Sequence, residues 1–86
     1  MKYLIEFWPK EPFAENLKKV YEIEAERRKK GEAFKVLTTY YFLAEPRAIH
    51  IADADPSEVA KWVKAYNAVM SYKISPLVER SEFDKL

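Results

Sequence analysis

Branched and aromatic side chains dominate residues 2–8, and Pro9 and Pro12 bracket their exit, so the chain is predicted to open with a strand that ends where a helix begins. From residue 12 onward Phe13, Leu17, Val20, Tyr21 and Ala25 recur at three- and four-residue spacing, with Lys and Glu between them, as on an amphipathic helix. The tetrad Arg27, Arg28, Lys29, Lys30 followed by Gly31 suits the end of that helix. Cations there meet the negative end of the helix dipole, and glycine caps in a left-handed conformation. The basic cluster therefore reads as a helix terminus.

Residues 34–43 are rich in Val, Thr, Tyr and Phe and predict a second strand; Ala44, Glu45, Pro46 and Arg47 form a turn, and residues 48–52 return as a short strand alternating around His50. Asp55, Pro56, Ser57 and Glu58 then combine a capping carboxylate, proline at the first helical position and glutamate three residues past the cap. The helix they start carries Val59, Trp62, Val63, Tyr66, Val69 and Met70 as its apolar stripe and is predicted to run to about residue 70. Residues 72–78 make a last strand, which Pro76 assigns to a sheet edge. A polar tail covers residues 79–86.

Two strand–helix–strand units in series predict a single α+β domain over residues 1–86. Its fold is ferredoxin-like βαββαβ, a four-stranded antiparallel sheet in the order fourth, first, third, second with two helices on one face. The face without helices should be polar unless something covers it. Yet Tyr3, Ile5 and Phe7 alternate with Leu4, Glu6 and Trp8, and Thr39, Tyr41 and Leu43 alternate with Thr38, Tyr40 and Phe42, so both faces carry large apolar groups. Two such sheets packed face to face as a twofold dimer would bury the excess and make a dimeric α/β barrel.

Composition supports that expectation. A chain of 86 residues buries only about 64% of its unfolded surface, and domains of this size often add disulfides, metal or oligomerisation. Cysteine is absent and histidine occurs once, which leaves association with a second copy. The almost balanced charge, net +1, suggests neither disorder nor a polyanion-binding tail, and no apolar run approaches a membrane span. The opening segment reads as too short and acidic for a signal peptide, and a cytoplasmic location is expected. One Gly, no Cys and many Lys, Arg and Glu make the composition thermophile-like.

The run Leu4, Ile5, Glu6, Phe7, the helix start Asp55, Pro56 followed by Trp62, and the segment Ser71, Tyr72, Lys73, Ile74, Ser75, Pro76, Leu77, Val78 resemble an uncharacterised family of small ferredoxin-like dimeric α/β-barrel proteins, a domain of unknown function. The resemblance spans most of the chain. It implies a dimeric barrel and no known reaction.

The chemistry-bearing candidates are few. If Ile49 and Ile51 face the helices, His50 faces away, and Glu6 alternates similarly with Ile5 and Phe7. Glu6 flanked by His50 and Lys73 would line the barrel cavity with Trp8 and Tyr41, where a carboxylate beside an imidazole supports proton transfer. The plainer alternative is a satisfied polar pair at the dimer interface. Tyr40, Tyr41 and Phe42 invite a base-stacking reading, but the third strand lacks basic and aromatic residues, and nucleic acid is not an expected partner. Asp53 and Asp55 are explained by capping, so no metal or cofactor is expected. The expectation is a homodimer whose cavity binds a small, partly apolar molecule. The rivals are a cofactor-independent monooxygenase- or isomerase-like enzyme using His50 and Glu6, and a protein-interaction module.

Overall fold

The computed structural model describes residues 1–86. The elements follow as β1 (Lys2–Pro9), α1 (Phe13–Lys29), β2 (Lys35–Tyr41), β3 (Ala48–Asp53), α2 (Pro56–Tyr66), β4 (Met70–Leu77) and a short α3 (Arg80–Phe83). The strands form one antiparallel sheet in the order β2-β3-β1-β4, the ferredoxin-like arrangement that two βαβ units in series specify. Pro76 falls in the edge strand β4, where its missing N–H leaves no ladder position unfilled on the open side.

Local chemistry explains the helix ends. Gly31 has φ +68°, and the N–H groups of Gly31 and Glu32 donate to the carbonyls of Arg28 and Arg27 at 3.2 and 2.9 Å, a Schellman closure of α1. At the start of α2, Glu58 accepts the Asp55 backbone N–H at 2.9 Å and completes a capping box behind Pro56. That helix ends at Tyr66, four residues before the expected end. Val69 and Met70 are buried all the same, at 6% and 3% exposure, from the turn and from the first position of β4. An apolar period therefore ran past the helix because the following residues enter the same core.

The core lies between the helices and the sheet and consists of Tyr3, Ile5, Ala54, Val59, Trp62, Tyr66, Val69 and Met70. Trp62 is its hub, with ring centroids 5.0 Å from Tyr66, 5.6 Å from Tyr72 and 6.1 Å from Phe7. The α1 face turned to this core differs from the expected stripe. Asn16, Val20, Ile23 and Arg27, spaced i, i+4, i+7 and i+11, are buried or half-buried, whereas Tyr21 is 63% exposed and Ala25 is exposed. Asn16 is held by donating from Nδ2 to the Lys10 carbonyl at 2.9 Å, which sets the helix rotation from its first turn.

Residues directly opposite in an antiparallel pair share a face. Ile5 lies opposite His50 on one side and Ile74 on the other, so His50 sits beneath the helices with Ala48 and Ala52. This corrects the expected facing of β3. The short side chains at 48 and 52, 4% and 0% exposed, let the helices approach, and the two isoleucines turn to the open face with Leu4. Strand β2 needed a further correction: its register shifts between Val36 and Thr38, so Val36, Thr39 and Tyr41 take the helix side while Thr38 and Tyr40 take the open side. Tyr41 therefore does not face a partner across the open sheet.

Candidate functional site

The five residues expected to line one cavity divide between two faces. Glu6, Trp8 and Lys73 lie on the open face, with Glu6 opposite Lys73 in the register; Tyr41 and His50 lie on the helix side. Glu6 and His50 consequently form no acid/base pair, because the sheet itself separates them. Glu6 instead meets Arg47, whose Nη1 lies 3.5 Å from Oε1. The Arg47 guanidinium stands 4.0 Å over the Trp8 ring, and its Nε is 3.4 Å from Glu45. Arg47 was hidden in the sequence as the last residue of a turn.

The helix side is hollow. Between α1 and the sheet, a space of about 400 Å³ is bordered by Glu24, Arg27, Thr39, His50, Trp62 and Tyr66. A second, of about 250 Å³, is lined by Phe7, Phe13, Leu17, Val20, Tyr41 and Met70, near the start of the same helix, with Glu45 and Arg47 of the β2–β3 turn at its edge. A smaller one of about 120 Å³ shares Phe7, Leu17 and Val20 with the apolar space and Glu24, His50 and Trp62 with the polar one. Together they make one crevice beneath α1, apolar at the helix start and polar at its end. The crevice exists because α1 presents Val20, Ile23 and Leu17 to the sheet without enough bulk to fill the gap over Ala48 and His50.

His50 stands at the middle of the crevice. Its ring lies 4.6 Å from that of Phe7, and its Nδ1 is 2.8 Å from the Thr39 Oγ1, its register partner in β2. Nε2 has no protein partner. Burial pushes the imidazole pKa below the usual 6.5, opposed more weakly by the negative charge of Glu24. A neutral imidazole with one nitrogen occupied offers the other as a single hydrogen-bonding position to whatever enters.

Arg27 closes the polar end. It is 7% exposed, its Nη2 donates to the Glu32 carbonyl at 2.9 Å, and its guanidinium lies 5.3 and 5.6 Å from the Tyr66 and Phe34 ring centroids. Its Nε is buried without a partner. Arg27 belongs to the basic helix terminus expected from the sequence, and its position seven residues after Val20 and four after Ile23 puts it on the inward face.

The fold and the crevice define a small ferredoxin-like α+β domain with one open sheet face and a hollow under its first helix. Over residues 1–86 the chain matches the model of a family described as a domain of unknown function, DUF3303, and it belongs to that family. No curated protein matches it. No helix is long and apolar enough to cross a membrane.

Proposed function

We propose that this protein binds a small, partly apolar molecule in the crevice beneath α1. The observation that carries the reading is the continuity of three hollows through Phe7, Leu17, Val20, Glu24 and His50, which together give a pocket of ligand size with an apolar run and a polar end. In this reading the ligand lies between helix and sheet, not between two sheets. His50 Nε2 orients it, and Thr39 fixes the ring. Amide NMR during a screen of small amphipathic compounds tests this: binders should shift Val20, Glu24, Thr39 and His50, and Val20→Trp, which fills the crevice, should abolish the shifts. Binders that shift only the open sheet face, or that ignore Val20→Trp, would refute the reading.

A specific observation also favours self-association through the open face. The chain exposes 6292 Å², whereas a compact monomer of 10.2 kDa exposes about 5,300 Å². The excess, about 1,000 Å², is close to one partner's share of a standard protein interface. Leu4, Ile49 and Ile51 run down the two central strands of that face, with Tyr40, 58% exposed, beside them. A second copy offers the same apolar surface in twofold self-complementary form. Light scattering at micromolar concentration should give twice the chain mass, and a monomer at that concentration would refute the association.

A further inference from the structure

We infer that the occupant of the crevice is a small organic monoanion, a carboxylate carrying an apolar tail, with its head at Arg27 and its tail toward Phe7, Leu17 and Val20. This deepens the crevice reading above and rests on it. The deciding feature is an uncompensated charge. Arg27 is 7% exposed and has no carboxylate within ion-pairing distance; its only hydrogen bond is to a backbone carbonyl, and its Nε is buried and unpartnered. Buried guanidinium groups are normally paired, since desolvating a cation without a counter-charge is costly.

The neighbouring charges do not supply the missing partner. Glu24, at the same end of the crevice, is engaged by Arg28 at 3.0 Å, and Glu32 approaches Arg27 through its main chain. The Tyr66 and Phe34 rings stabilise the guanidinium but do not neutralise it. One positive charge is thus left over, which matches a monoanion, and the planar guanidinium fork matches a carboxylate. Thr39 and His50 line the same space and contribute neutral hydrogen-bonding groups. From there the crevice continues into a region bounded by Phe7, Leu17, Val20 and Met70, where the charged residues at the edge, Glu45 and Arg47, are 3.4 Å apart and satisfy each other. Because Arg47 at the other end is already paired with Glu6 and Glu45, the carboxylate head goes to Arg27 and the alkyl or aryl tail to the apolar residues.

NMR titrations of the full chain with hexanoate, octanoate and phenylpropionate, each against the matching primary alcohol, test the inference. The acids should bind at least about tenfold more tightly than the alcohols, the gain expected of a charge-assisted hydrogen bond. Arg27→Gln should erase that preference and leave alcohol binding in place, Arg27→Lys should keep part of it, and Lys29→Gln, at an exposed residue outside the crevice, should keep all of it. Should Arg27→Gln fail to fold, the acid–alcohol comparison in the wild type and in Arg27→Lys still decides. Equal affinity for acid and alcohol would overturn the monoanion and leave the crevice reading standing. A preference that survives Arg27→Gln in a folded protein would overturn the role of Arg27, and binding by neither class would overturn the crevice reading itself.

Discussion

Thr39 and His50 face each other across β2 and β3 and join through Oγ1 and Nδ1 at 2.8 Å, on the side of the sheet that the helices cover. The imidazole is thereby held in place from within the sheet while its other nitrogen is left toward the crevice. Its environment is set by burial first and by Glu24 second, and Glu6 on the opposite face takes no part.

The titration of His50 should follow that order. By NMR its imidazole should titrate below 6.5, Glu24→Gln should lower it further by removing the one opposing charge, and Glu6→Gln should leave it unchanged. A value above 6.5, or a response to Glu6→Gln, would contradict the placement of His50 beneath the helices.

Stability should depend on pH in the same sense. Because the folded-state pKa is depressed, the unfolded chain binds the proton first as pH falls below 6.5. The contribution of His50 is therefore complete above 6.5 and is lost as pH drops from there through the folded-state value. The slope from this group cannot exceed one proton, about 1.4 kcal/mol per pH unit. Urea unfolding of wild type and His50→Gln across this range should differ in slope only there, with the variant flatter.

Substitutions on the two faces of the sheet should separate association from folding. Ile49→Glu and Tyr40→Glu place a charge on the open face and should convert a dimer to a folded monomer in sedimentation experiments, since an unpaired charge buried at an interface costs several kcal/mol. Tyr41→Glu, one residue from Tyr40 but on the helix side and 77% exposed, should leave the association intact. If Tyr41→Glu dissociates the dimer and Tyr40→Glu does not, the partner seats on the other face.

Core substitutions should be severe where the helices meet the sheet. Trp62→Ala removes the ring that touches Phe7, Tyr66 and Tyr72 and should cost about 3–5 kcal/mol in chemical denaturation. Ala52→Leu forces bulk into a site with 0% exposure and should cost about 1–3 kcal/mol.

The sequence by itself determined the order of elements, the ferredoxin-like topology and the edge position of Pro76, because turn chemistry, capping and local periodicity act over a few residues. Pro9 and Pro12, Gly31, and the Asp55–Glu58 capping box each declare a boundary within one turn of the chain. Only the tertiary structure decided which way β3 and β2 face. Apolar alternation orients a strand when one face is polar, and here Ile49 and Ile51 on one side and Ala48 and Ala52 on the other are all apolar, so pattern alone left two solutions. Packing chose between them, with Ala48 and Ala52 buried beneath the helices at 4% and 0% exposure. The same choice carried His50 away from Glu6 and toward Thr39, and the rotation of α1 turned Arg27 from a basic run to the polar end of the crevice. Both outcomes depend on side-chain volume summed across elements far apart in the chain, which no local pattern of residues records.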